Sequence, residues 1–257
     1  MQIATFNINS VNARLDNLIE WLSRTTPDVV CLQELKVEQG GFPIEAFERI
    51  GYGAVWKGQR AWNGVAILAR GSTPVLTRTA LPDDPDPEQS RYIEAAVNGV
   101  LIGCVYIPNG NPVPGAKFAY KLAWFERLLA HAEALLSVGA PVILAGDYNV
   151  VATDADIYPN HSYGGDALLR PESRQAFARL LAQGWIDGMR AVHGDAAPYT
   201  YWSYIRNRWP RDRGLRIDHL LLSPNLTDNL SGAGVDRWVR GQQRASDHAP
   251  AWITLAS

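Results

Sequence analysis

The sequence predicts one mixed α and β domain whose sheets lie buried beneath helices, and three features point to it. Short β-rich apolar runs recur along the chain, and several are apolar on both faces, as strands held between layers are. A few other segments repeat their apolar residues at three and four, the period of a helix with one buried face. The length of 257 residues is one that a single large core can serve, so residues 1–257 are read as one domain.

Strands are expected over 2–8, 29–34, 53–57, 63–69, 91–97, 100–107, 142–149, 215–222 and 250–255. The clearest helix begins near Arg14, where Leu15, Leu18, Ile19 and Leu22 form one stripe; two more cover about 116–136 and 171–183. Pro171 suits the first turn of the last one, and Gly184 closes it. The stretch PDDPDPEQ at 82–89 is too short and too enclosed by strands to link domains, and no strong repeat is visible.

With 47% hydrophobic residues, 19% charged residues and nine tryptophans, the composition excludes a disordered chain. Cys31 and Cys104 lie in the apolar runs VVCLQ and LIGCVYI and are expected as buried thiols in a reducing compartment, a single bridge between them being the alternative. The opening MQIATFNIN has no basic segment followed by an apolar one, and no apolar run spans a bilayer, so a cytoplasmic protein with no membrane partner is expected. The net charge of −2 hides a division. Residues 201–257 hold 8 Lys+Arg against 5 Asp+Glu, whereas residues 1–200 hold 16 against 21. A local basic excess suits a nucleic-acid edge better than a uniformly cationic surface.

The informative positions are those where polar residues interrupt apolar runs. Asn7 ends the first strand, Glu34 ends VVCLQE, Tyr106 and Asn109 end IGCVYIPN, and Asp147 and Asn149 end VILAGDYN. Asp218 interrupts LRIDHLLL, and Asp247 with His248 precedes APAWITL. Within VILAGDYN, strand alternation places Asp147 and Asn149 on one face and Tyr148 on the other. Any one of these is explained by the turn-forming habit of Asp and Asn. Together they bring Glu34, Asp147, Asp218 and Asp247 toward shared edges, and such carboxylates repel one another unless a cation or an imidazolium stands among them. Hard oxygen ligands without paired His or Cys point to Mg²⁺ or Mn²⁺ over zinc.

The segments ATFNINS from residue 4, CLQELK (31–36), NGVAIL (63–68), YIPNGNP (106–112), FAYKLAWF (118–125), GDYNV (146–150), PESRQAF (171–177), RGLRIDHLL (213–221) and SDHAP (246–250) run in order over nearly the whole chain. In them the chain resembles the exonuclease III family of abasic-site endonucleases, within the superfamily of endonucleases, exonucleases and phosphatases. LQELK, GDYNV and SDHAP are specific to the superfamily; YIPNGNP, PESR and the aromatic run before GLRID point to the abasic-endonuclease branch. The resemblance implies an α+β fold of the deoxyribonuclease I type: a four-layer αββα sandwich, two mainly antiparallel sheets face to face with helices outside.

It also implies roles. Glu34 would be the main metal ligand, with Asn7 beside it and Asp247 near or on the metal, which would be Mg²⁺ with Mn²⁺ as a substitute. Asp147 would orient or deprotonate the attacking water and Asn149 would help to hold it. His248 would contact the scissile phosphate and Asp218 would hold His248, while Tyr106, Asn109 and Lys121 would touch the phosphate or the leaving oxygen. One departure stands at Asn9, where animal members carry an aspartate close to the metal. The chemistry agrees independently of the family, because phosphodiester hydrolysis needs an in-line water, charge neutralisation and a stabilised leaving oxygen. Among the other histidines, His131 and His193 read as surface residues, and His219 reads as structural.

From Tyr199 to Arg216 the run YTYWSYIRNRWPRDRGLR interleaves five arginines with aromatic residues, a pattern that pairs guanidinium groups for phosphates with rings for stacking. Arg206, Arg208, Arg211 and Arg213 are expected to contact DNA, with Trp209 exposed at a loop tip. In the family this loop borders the pocket for the extruded abasic sugar, for which Tyr201, Leu215 and Ile217 are wall candidates. The expected partner is double-stranded DNA with abasic sites or recessed or blocked 3′ ends, met by a monomer. Two rival classes, a phosphatase on inositol phosphates or lipids and a non-catalytic RNA-binding regulator, lack respectively a membrane-facing helix and a reason for the intact Glu34, Asp147, Asn149, Asp247 and His248.

Overall fold

In the computed structural model, which describes residues 1–256, the strands form two six-stranded sheets. In chain order they are β1 (Gln2–Asn7), β2 (Val29–Gln33), β3 (Tyr52–Lys57), β4 (Val65–Arg70), β5 (Val75–Arg78), β6 (Tyr92–Val97), β7 (Val100–Tyr106), β8 (Val142–Asp147), β9 (Ile186–Asp187), β10 (Asp218–Leu222), β11 (Leu230–Val235) and β12 (Ala251–Leu255). The α-helices are α1 (Leu15–Thr25), α2 (Ile44–Glu48), α3 (Ala116–Val138), α4 (Pro171–Ala182), α5 (Gly188–His193) and α6 (Arg237–Arg240).

The first sheet runs β11-β12-β1-β2-β4-β3 and the second β5-β6-β7-β8-β10-β9. Each has one parallel pair near its middle, β1 with β2 and β7 with β8, and otherwise antiparallel neighbours. The parallel pairs are bridged by α1 and α3, the crossover that a parallel register requires.

Strand alternation builds the layers. Ile3, Val29, Cys31 and Ile67 of the first sheet meet Ile102, Cys104, Ile143 and Leu220 of the second in a core between the sheets. The opposite faces bury Phe6, Val30 and Leu32 with Leu18, Trp21 and Leu22 of α1, and Tyr92 and Leu144 with Trp124, Phe125 and Leu128 of α3 and Phe177 and Leu180 of α4. The four layers are therefore helix, sheet, sheet, helix, and the both-face apolar runs are explained. Cys31 and Cys104 are free and buried.

The structure differs from the sequence expectation in several places. The elements β5, β9, β11, α2, α5 and α6 carry no strong signal: β5 is exposed throughout, β9 has two residues, and β11 contains two glycines. The strand at 142–149 stops at Asp147, and that at 215–222 starts at Asp218. Asp147 and Asn149 thus meet through a turn, the Asn149 amide donating to Asp147 Oδ1 at 2.9 Å, and strand alternation is not what joins them. His131 is buried, with Nε2 2.8 Å from Glu94 Oε2 under α3, so it is no surface residue.

Candidate active site

Three side-chain contacts sew the two sheets together along one edge. Asn7, the last residue of β1, donates from Nδ2 across to Asp147 Oδ2 at 3.0 Å and also, on its own sheet's side of the seam, to Glu34 Oε1 at 2.9 Å. Tyr106, the last of β7, donates its hydroxyl to Glu34 Oε1 at 2.8 Å. His248, just before β12, has Nδ1 2.8 Å from Asp218 Oδ2 at the start of β10. Beyond the strands the chain turns sharply: Asn9, Glu34 and Asn149 hold left-handed φ of 50°, 54° and 49°. Asn tolerates that conformation, whereas a glutamate there is uncommon and strained, a feature that concentrates at functional sites. Gly146 admits no larger residue, since a Cβ would stand 1.8 Å from Val105 O, and this lets β8 carry Asp147 close against β7.

Electrostatics separate the roles. Burial, and then the Asp218 carboxylate, push Asp147 up to about 7 against the pull of His248. Burial opposes charge on His248, but Asp218, then Asp147 and Asp247, raise it to about 10, so it is an imidazolium at neutral pH. Burial would raise Glu34, yet Lys36 and the Asn7 amide hold it below its ordinary value, so it stays ionised. Burial and the neighbouring Glu34 and Asp147 raise Tyr106 far above the usual phenol, which keeps its hydroxyl a neutral donor.

Asn149 and Asn109 form a second unit. Asn109 Nδ2 donates to Asn149 Oδ1 at 3.1 Å, and Asn149 Nδ2 donates to Ile107 O at 3.0 Å. Lys121 was expected at the DNA or phosphate, but it is fully buried behind both, its Nζ donating to Asn149 O at 2.6 Å and to Asn109 O at 3.1 Å. Burial draws its pKa down to about 7, against Asp147 and Asp166.

Two places can receive a cation. Ligand atoms of Asp147, Asp218 and His248 lie within 4.8 Å of one another, and Asp218 Oδ1 is buried without a partner. The charged His248 disfavours a cation in that group. Glu34 is the other candidate host: its Oε1 accepts from Asn7 and Tyr106, and its Oε2 faces the Lys36 ammonium at 2.8 Å, which a divalent ion on this carboxylate would have to displace. Asn7 Oδ1 accepts from the Asn9 amide at 3.1 Å and Asp247 Oδ1 from Asn9 Nδ2 at 3.0 Å, so Asn9 links the two residues expected beside Glu34.

A cleft of about 730 Å³ opens on these groups, and Tyr201 and Ile217 line it. Leu215, the third wall candidate, packs behind them with Val151, Ile157 and Tyr158. In the basic run Arg206, Arg211 and Arg213 are exposed. Arg208 is buried, donating to the Tyr158 hydroxyl and, at 3.1 Å, to Ser162 Oγ, so its donors are turned inward. Trp209 is a half-buried strut and not a loop tip: its ring meets Trp202 edge to face at 4.9 Å and carries Arg237 and Arg240. The exposed apex belongs to Tyr204 and Ile205, at 52% and 63%. Sequence reasoning passed over Ile205 because an isoleucine between aromatics and arginines reads as core. It also passed over Trp62, whose place before Asn-Gly was the available signal.

A family model described as the endonuclease/exonuclease/phosphatase family matches residues 4–248. The chain belongs to this family. Exodeoxyribonuclease III of Haemophilus influenzae is 31% identical over 265 residues, covering 98% of either chain. Among solved structures, a 3′ phosphatase from Neisseria bound to a product DNA hairpin has a TM-score of 0.96 at 37% identity. A 3′-5′ exonuclease from Neisseria meningitidis gives 0.96 at 38%, and an AP endonuclease from Archaeoglobus fulgidus gives 0.95 at 31%; all three cover 100% of both chains. Within the family the chain sits in the exonuclease III branch of abasic-site endonucleases, and the deoxyribonuclease I-like sandwich is the fold observed. It is an enzyme that hydrolyses phosphodiester bonds.

Proposed function

We propose that the chain is a Mg²⁺-dependent DNA-repair enzyme that cuts the backbone of double-stranded DNA 5′ to abasic sites and trims 3′ ends, with Mn²⁺ able to replace Mg²⁺. The observation that carries this reading is the buried pair of Asp147 and His248, whose environments drive their protonation apart at the floor of one cleft. Asp147 accepts a proton from the attacking water, which Asn149 helps to hold. His248 donates its Nε2 hydrogen to a phosphoryl oxygen, while Asp218 fixes its ring and charge. Asn109 supplies a neutral donor to the phosphate, and Tyr106 can do so when its hydroxyl hydrogen swings from Glu34 Oε1 to the substrate. As water oxygen bonds to phosphorus the bond to the 3′ oxygen breaks, and that oxygen leaves to be protonated. A cation held by Glu34, with Asn7 and Asp247 close by, would offset charge on that leaving oxygen.

The names of the similar proteins support both halves of this activity, abasic incision and 3′ processing. No helix among the described residues is long and apolar enough to cross a membrane. We place the chain in the cytoplasm as a monomer on the nucleoid. Incubating one abasic duplex and one recessed-end duplex with Mg²⁺, and again with chelator, tests the reading. Cutting of either that stops with chelator is expected; an uncut pair in Mg²⁺ overturns it.

A further inference from the structure

Asn109 is exposed at the rim of the cleft, and its amide has a second hydrogen beyond the one it gives to Asn149. An amide carries a donor at one end and an acceptor at the other in nearly the same shape, so a half-turn of that group would offer a phosphate an oxygen in place of a hydrogen. The side chain itself does not decide between the two, but its neighbours do. Asn109 Oδ1 accepts from the Asn111 backbone amide at 3.2 Å and from Asn111 Nδ2 at 2.8 Å. Asn111 Nδ2 also donates to Asp166 Oδ1 at 3.0 Å, and Asn111 Oδ1 accepts from the Ala167 amide at 3.0 Å. Asp166 lies 55 residues further along the chain, and its Oδ1 accepts in turn from the Leu168 amide at 3.0 Å.

Each end of this series has a fixed sense. A backbone N–H only donates and a carboxylate only accepts, so Ala167 and Asp166 leave Asn111 one orientation, with its oxygen toward the first and its nitrogen toward the second. Asn111 then shows Asn109 hydrogens from both its side chain and its backbone, and only the Asn109 oxygen can meet them. On the other side Asn149 Nδ2 is committed to the Ile107 carbonyl, so Asn149 turns its oxygen to Asn109 and requires a nitrogen there. Reversing the Asn109 amide would set oxygen against oxygen at Asn149 and hydrogen against hydrogen at Asn111, and unmet polar groups of this kind are costly.

We propose that Asn111 and Asp166 are positioning residues that fix which end of the Asn109 amide faces the scissile phosphate: Asp166 orients Asn111, and Asn111 orients Asn109. The proposal rests on the role given above to Asn109 as a donor to the phosphate. Neither Asn111 nor Asp166 has to touch the substrate for this. A donor aimed before the substrate arrives needs no reorganisation as charge grows on the phosphoryl oxygens, so the relay acts on the rate of the chemical step more than on binding.

The test measures kcat, KM and Tm for the wild type, Asn111→Ala, Asn111→Asp and the double variant Asn111→Asp with Asp166→Asn, in Mg²⁺ on whichever of an abasic and a recessed-end duplex the wild type cuts. Asn111→Ala keeps the backbone donor to Asn109, so kcat should fall about tenfold. Asn111→Asp presents oxygen where Asn109 had met a side-chain hydrogen, which draws the Asn109 nitrogen round and turns its oxygen to the phosphate. There kcat should fall about a hundredfold, with KM changed less than about threefold. The double variant keeps the net charge and restores a donor facing an acceptor between positions 111 and 166, so Tm should return while kcat stays low. Return of kcat together with Tm would make the pair a brace for its loop and overturn the relay, as would an Asn111→Asp no slower than Asn111→Ala or a loss confined to KM. A wild type that cuts neither duplex sinks the nuclease reading itself, whereas those three outcomes with a cutting wild type sink only the relay.

Discussion

His248 donates its Nδ1 hydrogen to Asp218 across the two sheets, from the segment before β12 of one to the first residue of β10 of the other. His248 Nε2 then faces Asp147 Oδ2 at 3.9 Å, too close for an oxygen to lie between them, so a reacting oxygen would meet both groups from one side. On the proposed roles, activity needs Asp147 ionised and His248 protonated. With Asp147 near 7 and His248 near 10, kcat/KM should rise as pH passes about 7 and fall as it passes about 10. A cation at Glu34 favours the Asp147 carboxylate and moves the acid limb lower. Asp218→Asn removes the charge that raises both groups, so both limbs should move to lower pH. An alkaline limb that stays in place would separate Asp218 from His248.

Glu34→Ala should lose most activity at ordinary Mg²⁺ and regain part of it in excess Mn²⁺. A readout apart from turnover is available, because an ion that binds the folded state raises Tm by mass action. Mg²⁺ should raise the Tm of the wild type and leave that of Glu34→Ala unchanged. Equal rises in both proteins would put the ion elsewhere, with the Asp147, Asp218 and His248 group as the next place to look.

Lys121→Met removes the donor that ties the Asn109 and Asn149 carbonyls together. We expect kcat to fall about tenfold or more while the salt dependence of DNA binding keeps its slope, because no phosphate contact is lost. Arg213→Ala is the contrast: abasic and intact duplexes should weaken alike, and the slope should become shallower by about one. A shallower slope for Lys121→Met would return that residue to the DNA surface.

Trp209→Ala should cost about 3 kcal/mol of stability by leaving Trp202 uncovered, with any loss of binding following the loss of fold. Ile205→Ala should leave Tm unchanged and weaken binding to abasic DNA more than to intact DNA, since an exposed apolar side chain at the apex can enter the gap of a missing base. The reverse pattern would restore Trp209 as the probing residue.

Much of this site was legible because its members end strands. An apolar run that stops at Glu34 or Asp147, or that starts just after His248, announces both the core and the polar edge beside it. What the sequence hid was direction. Alternation carried Asn149 to the face of Asp147, but a left-handed turn does that work, and a φ of 49° leaves no mark in the letters GDYN. The arginines at 206, 208, 211 and 213 look equivalent as a basic run. Only tertiary packing turns Arg208 inward onto Tyr158 and Ser162 and leaves the others outside. The place of Lys121 was hidden for the same reason, since a lysine in the run FAYKLAWF gives no sign of two waiting carbonyls.

Each bond that sews the edge has one end in either sheet, so the reacting groups form a gauge of how far apart the sheets stand. Packed sheets are held about 10 Å apart by the side chains between them, and a shift of under an ångström is felt where catalytic groups must meet a phosphate. A single enlarged side chain deep between the sheets, such as Ala145→Val, pries the jaws apart without touching a polar residue. Far-off replacements in that layer should therefore act as a throttle on turnover, and the molecule's tolerance for drift in its interior is set by the tightness of its jaws more than by the survival of its fold.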